Sequence, residues 1–184
     1  MQVFDFDKTI YKGDSSIDFY LYCVKKHPGL LRFLPLQIWH IIKYKFHQCS
    51  KEEMKETFFI FLKGLFDVDK DIDDFTDKNL YKIQEWYLNI QNSADVVISA
   101  SPAFLLESFS QKSTHFSVIA SKVDKLTGKF EGANCHGEEK VRRFREVYPE
   151  AEISTFYSDS DSDLPMARLA KQSYKIYKGT CKKW

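Results

Sequence analysis

The sequence predicts an α/β fold: a mostly parallel sheet covered by helices on both faces, with a helical block inserted after the first strand. Three observations carry that reading. Short apolar runs recur at 2–7, 95–100, 116–120, 153–157 and 174–177, with the length and character of buried parallel strands. Helical patterns at 138–148 and 164–170 separate the later runs, as crossover connections between parallel strands require. Between the first two runs, residues 14–88 show helical spacing and no convincing strand.

Within that block, Ile17, Tyr20, Leu21 and Val24 recur at three- and four-residue intervals, and His27-Pro28-Gly29 ends the helix they define. Residues 30–46 form a second helical stretch, in which Pro35 marks a start or a kink. Ser50 with Glu53 is a capping-box signal for a third helix through residue 63. Residues 69–88 supply a fourth, with Ile72, Phe75, Leu80, Ile83 and Trp86 on its apolar positions. After the 95–100 strand, Ser101-Pro102 leads into a helix to about residue 109, and residues 122–134 form a hairpin or irregular excursion around Gly128 and Gly132. The expected domains are therefore a core of residues 1–13 and 89–184 and a helical cap of residues 14–88.

Composition narrows the function classes. With 184 residues the chain can bury one substantial core and a second small module. Lys and Arg number 27 against 26 Asp and Glu, an overall balance that leaves no electrostatic footprint for nucleic acid or an acidic membrane surface. The longest apolar segment, 30–42, is interrupted by Arg32, Pro35, Gln37 and His40. It is too short and too polar for a membrane span, so no stable membrane insertion is expected; packing within the helical module is the favoured fate, with a surface-bound amphipathic helix as the alternative. Arg32, Lys43 and Lys45 read as exposed helix charges, with recognition of a remote anionic group as the alternative. The four cysteines lack metal-ligand spacing and read as reduced thiols. The first residues look like a core strand rather than a secretory leader, and a cytoplasmic location is expected.

Asp5 and Asp7 close the first apolar run. Strand alternation sends both to one side if the strand continues through residue 7. A charged pair at the end of a buried strand needs a partner, and a metal ion suits it. Ser99, Lys140, Asp159 and Asp163 also fall at carboxyl ends of strands or at the start of a following helix, the edge where open sheets bind ligands. A nucleophilic carboxylate, a hydroxyl donor, an ammonium group and a separate acidic cluster form a kit for phosphoryl transfer. An acyl hydrolase would want Ser or Cys beside His, and none of the five histidines is so placed in the sequence.

These segments resemble the haloacid dehalogenase superfamily, in its phosphoserine-phosphatase-like branch (subfamily IB). Asp5-Phe6-Asp7-Lys8-Thr9 resembles its first motif, Val96-Val97-Ile98-Ser99 its second, Lys140 its third, and Tyr157-Ser158-Asp159-Ser160-Asp161-Ser162-Asp163 its fourth. The stretch from Gly132 to Val141 is also typical of that branch. The resemblance implies a Rossmann-like core and Mg²⁺-dependent hydrolysis of a small phosphorylated metabolite through an aspartyl-phosphate. Asp5 would be the nucleophile, Asp7 the acid and base, and Ser99 and Lys140 the phosphate-binding groups. Asp5, the Asp7 backbone carbonyl and Asp159 would hold Mg²⁺. Asp163 would orient water or the lysine, Thr9 would support the loop with a phosphate contact, and Asp14 would read a substrate amine. Lys8 and the serines of the fourth motif depart from the usual small residues. Asp161 reads as a loop residue, and Cys135 and His136 as structural or substrate-edge groups. A phosphotransferase of the same fold and a non-catalytic phosphometabolite-binding protein are the alternative readings.

Overall fold

The computed structural model describes the chain from Met1 to Trp184, the side chain of Thr114 excepted. The strands are β1 (Gln2–Phe4), β2 (Val96–Pro102), β3 (Ser117–Ser121), β4 (Ile153–Ser158), β5 (Ala170–Tyr177) and β6 (Thr180–Lys183). They form one sheet in the order β3-β2-β1-β4-β5-β6. The first five are parallel, and β6 runs antiparallel to β5. Alternation along β1 and β2 divides the apolar side chains between two cores. Val3, Val96 and Ile98 join Phe144, Phe156 and Met166 on one face, while Phe4 and Val97 join the aromatic core on the other.

The helices between β1 and β2 are α1 (Ser15–Lys26), α2 (Leu34–Lys45), α3 (Lys51–Phe59), α4 (Val68–Asn79) and α5 (Glu85–Leu88). Helix α6 (Ala103–Phe109) follows β2, α7 (Glu138–Val147) follows β3, and α8 (Leu164–Ala167) follows β4. The inserted helices share their core with the sheet. Phe19 of α1 meets Phe75 of α4 at 5.2 Å, Phe75 meets Phe109 of α6 at 6.0 Å, and Phe109 meets Phe6 at 5.5 Å between ring centroids. Edge-to-face and tilted rings at these spacings add directional attraction to burial. Among the described residues, no helix is long and apolar enough to cross a membrane.

Several boundaries differ from the periodicity. β1 stops at Phe4 rather than at residue 7, because the Phe6 carbonyl accepts from the N–H groups of Ile10 (2.9 Å) and Tyr11 (2.8 Å) and turns the chain at once. Asp5 stays tied to β4 through its N–H to the Tyr157 carbonyl at 2.8 Å. The predicted 69–88 helix breaks into α4, a 3-10 turn at Leu80–Lys82, and α5. Extended backbone at Ile83 and Gln84 lets the returning chain pair with the outgoing one: Lys12 N–H donates to Lys82 O (2.8 Å) and Gln84 N–H to Ile10 O (2.9 Å). Strand β6 is not among the elements the periodicity predicts. Its hairpin turn, Lys178-Gly179, has φ of 49° and 78°, the left-handed pair that two-residue hairpins favour.

The capping box forms as predicted. Glu53 N–H donates to Ser50 Oγ at 3.0 Å, and Ser50 N–H donates to the Glu53 carboxylate at 2.8 Å. Ser50→Ala should therefore lower stability by about 1 kcal/mol in a denaturant titration. The 122–134 excursion is anchored by a Val123–Phe130 bridge and leans on α3, with Phe130 N–H donating to Glu56 at 3.0 Å. Gly128 is required at this contact: it has φ +75°, and a Cβ there would lie 2.4 Å from the Phe59 carbonyl oxygen.

Helix α2 packs the opposite way to its composition. Its one fully buried residue is Gln37, held by the Tyr20 hydroxyl (2.9 Å) and by its own donation to Phe58 O (2.8 Å). The apolar residues around it face outward.

Candidate functional site

The turn after β1 and the starts of α7 and α8 bring three predicted residues, Asp5, Lys140 and Asp163, into direct contact. Lys140 lies in the first turn of α7, which Gly137 opens with φ +60°. Its ammonium donates to Asp5 Oδ1 and to Asp163 Oδ2, each at 2.7 Å. Asp163 Oδ2 also accepts from the buried Ser158 hydroxyl at 2.7 Å. Lys140 and Asp163 are each 2% exposed and Asp5 is 7% exposed. The Asp163 carboxylate thus fixes the lysine.

Asp7 is held from two sides. Its Oδ1 accepts from the Ser15 N–H at 2.7 Å, at the start of α1, and its Oδ2 accepts from the Ser101 hydroxyl at 2.5 Å. Ser101 in turn meets the Ser16 hydroxyl at 3.1 Å. Ser99 is buried, and its Oγ accepts from the Ser101 N–H at 3.2 Å, so its own hydroxyl proton is free to serve a ligand. Thr9 is fully buried and its Oγ1 has no hydrogen-bond partner among the described residues. A buried orphaned hydroxyl is costly unless a ligand completes it. Asp14 caps α1, accepting from the Ile17 N–H at 3.0 Å.

The charges explain the titration of the site. Burial raises Asp5 to about 7; Lys140 opposes the rise, and Asp163 reinforces it. Burial raises Asp7 to about 6, with the Asp14 charge adding to it and the Ser101 and Ser15 hydrogen bonds opposing. Burial alone would lower Lys140, but Asp5 and Asp163 hold it well above an ordinary lysine. Burial also raises Asp159, which Lys8 pulls down and Asp163 pushes up. One buried ammonium thus serves several carboxylates that burial disfavours as anions.

That surplus of negative charge suits a divalent cation. Among the described residues, no group of three or more acidic, histidine or cysteine side chains forms a ready metal shell. A Mg²⁺ set of two carboxylates, a main-chain carbonyl, water and phosphate oxygens needs no such group.

The structure also adds residues that the sequence pattern did not single out. Ser101 contacts Asp7 directly. Lys55, from α3, reaches across to the Ala100 carbonyl at 3.0 Å and to Asn134 Oδ1 at 2.8 Å. Burial, then the neighbouring Lys51, lowers Lys55 to about 8, with Asp14 and Asp7 pulling the other way. Asn134 is positioned by Ser121, whose hydroxyl donates to it at 3.2 Å. Cys135 is buried and its thiol is pushed up to about 11 by burial, which leaves it protonated and structural. Asp161 pairs with Lys175 at the surface, as a loop residue would. Beside Lys8 and Asp159 opens a cleft of about 1070 Å³, walled by Trp86, Tyr177 and Lys178.

Comparison with known proteins agrees with this architecture. Residues 3–168 match the family described as haloacid dehalogenase-like hydrolase. Protein CicA of Caulobacter vibrioides (strain NA1000 / CB15N) is 29% identical over 91 residues, which are 46% of this chain and 41% of that protein. The match therefore takes in less than half of that relative's length. A protein of unknown function from Bordetella pertussis Tohama I superposes with a TM-score of 0.77 at 17% identity, over 94% of this chain and 87% of that one. A phospho-aspartyl intermediate analogue of phosphoserine phosphatase superposes with a TM-score of 0.55 at 14% identity, over 93% and 83%. At such identities these two likenesses speak to fold alone, whereas the family match spans most of the sequence. The chain belongs to the haloacid dehalogenase-like hydrolase family.

Proposed function

We propose that the protein is a Mg²⁺-dependent phosphomonoester hydrolase of the phosphoserine-phosphatase-like branch, acting on a small phosphorylated metabolite. The observation that carries this reading is the Lys140 ammonium held 2.7 Å from both Asp5 and Asp163. A fixed cation beside a candidate nucleophile lowers the repulsion that an anionic phosphate meets there. The resemblance of the fold to phosphoserine phosphatase gives further support. Residues 14–88 act in this reading as the cap, and residues 1–13 and 89–184 as the catalytic core.

Asp5 attacks phosphorus: an Oδ–P bond forms and the bond from phosphorus to the leaving oxygen breaks. Asp7, raised to about 6, supplies the proton that the leaving oxygen takes up. The ionised Asp7 then accepts a proton from the water that attacks the aspartyl-phosphate; the Oδ–P bond breaks, phosphate is released, and the Asp5 carboxylate and the protonated Asp7 are restored. Ser99 and the orphaned Thr9 hydroxyl donate to phosphoryl oxygens. Lys140 neutralises charge, and Asp163 with Ser158 keeps its ammonium in place. Asp5, the Asp7 backbone carbonyl and Asp159 would hold Mg²⁺, which when bound offsets phosphate charge and keeps Asp5 ionised. A panel of phosphomonoesters assayed for phosphate release, with Mg²⁺ added and withheld, tests the reading. No release from any member in the presence of Mg²⁺ would overturn it.

Lys55 extends the reading to substrate binding. Its buried ammonium, held at the Ala100 carbonyl near the end of β2, suits an anionic group of the substrate. Lys55→Met should raise KM roughly tenfold or more with a smaller change in kcat, the loss expected for one charge-assisted hydrogen bond. The sign of the pH dependence follows from the lowered value of about 8. The ammonium is lost as pH rises through that value, so KM should climb on the alkaline side in the parent protein and lose that limb in the variant. Asp14→Ala should weaken amine-bearing phosphates more than aryl phosphates; equal losses in both classes would remove Asp14 from amine recognition.

A further inference from the structure

Helix α2 is inverted. It buries Gln37 and exposes Ile38, Trp39, Ile41 and Ile42 at 47%, 54%, 50% and 42%. Leu31 before the helix and Phe46 after it are exposed as well. Gln37 is secured inward by Tyr20 and Phe58, so the helix cannot roll its apolar side into the core without breaking both bonds. An exposed apolar surface of this extent on a folded domain calls for an occupant.

The charges around it select one. From Phe19 to Lys51 the sequence holds no Asp or Glu, although the whole chain is nearly balanced. Arg32, Lys43 and Lys45 flank the apolar residues, and among the described residues none of the three is paired with a carboxylate. Two of the three sit over aromatic rings: Arg32 over Phe33 at 4.8 Å and Lys43 over Trp39 at 5.6 Å. A second copy docked face to face would bring like charges together with no acid in the patch to meet them. An anionic bilayer satisfies both features. Its headgroups take the cations, its acyl boundary takes the isoleucines, and Trp39 and Tyr44 have the amphipathic rings that favour that boundary. The helix is too short to span and lies in the surface plane.

We propose that α2 and its flanks form a reversible docking surface for anionic phospholipid membranes. The proposal does not depend on the hydrolase reading, since none of these side chains belongs to the candidate site. The surface is mechanically joined to that site all the same. Gln37 of α2 holds the end of α3, and α3 carries Lys55 to the Ala100 and Asn134 backbone and side-chain oxygens.

The test is co-sedimentation of the full chain with vesicles of phosphatidylcholine, with and without phosphatidylglycerol. The protein should pellet with the anionic vesicles, stay soluble with the neutral ones, and be released by salt. Ile38→Glu/Ile41→Glu should lower partitioning about tenfold or more, and Lys43→Glu/Lys45→Glu should remove the preference for anionic lipid. Both pairs are surface changes, so circular dichroism and turnover of a soluble phosphomonoester should match the parent. Should the isoleucine pair fail to fold, the lysine pair decides alone. No pelleting with anionic vesicles would overturn the proposal, as would equal pelleting by parent and folded variants. A parent dimer that the isoleucine pair dissociates would also overturn it, by assigning the face to a second copy.

Discussion

Asp5→Asn is expected to lower phosphomonoester turnover by roughly four orders of magnitude or more, because an amide oxygen cannot replace a carboxylate as the attacking group. The fold should survive the change. Burial already pushes the Asp5 carboxyl up to about 7, so a neutral amide of the same shape suits the position, and its oxygen can still accept from Lys140. Circular dichroism and thermal unfolding distinguish this outcome from simple collapse. Turnover near the parent level in a folded Asp5→Asn protein would remove Asp5 from the nucleophile role.

Lys140→Met is expected to reduce both stability and turnover. The side chain bridges two carboxylates in a site almost without solvent. Removing the ammonium while leaving Asp5 and Asp163 buried should cost roughly 3–5 kcal/mol, the usual penalty for breaking a buried ion pair from one side. Turnover should fall by about 10²–10³, the scale of losing one electrostatic donor. The two effects can be separated. Adding Asp163→Asn to Lys140→Met removes one unpaired carboxylate, so it should return part of the stability and none of the turnover. A double variant that regained activity would mean that Lys140 serves only to neutralise Asp163.

The candidate site is legible in the sequence where charged residues sit at strand ends. Asp5, Asp7, Lys140 and Asp163 stood out because charged residues close apolar runs or open helices, and a parallel sheet gathers those positions along one edge. The mechanism of convergence was different at Asp5 and Asp7. A turn through the Phe6 carbonyl, rather than strand alternation, places them. Ser101 was hidden behind Ser99, since two serines in one strand end give no local reason to prefer the second as the Asp7 partner. Lys55 was hidden more deeply. On its own helix it reads as an ordinary solvated lysine, and only the packing of α3 over the sheet edge buries it. The polar strand β6 lacked any apolar period, although Lys178-Gly179 carried a hairpin signal. Helix α2 shows the converse: an apolar sequence suggested burial, yet the hydrogen bonds of Gln37 turned its apolar side outward.

The central claim is that phosphate passes through Asp5, and acid-quenched turnover tests it most directly. Protein mixed with a turned-over phosphomonoester and Mg²⁺, denatured in acid and digested, should yield a hydroxylamine-sensitive acyl phosphate on the peptide that contains Asp5. Phosphate found on a different residue, or steady turnover with no acyl phosphate under conditions that trap one in a known aspartyl-phosphate enzyme, would contradict it.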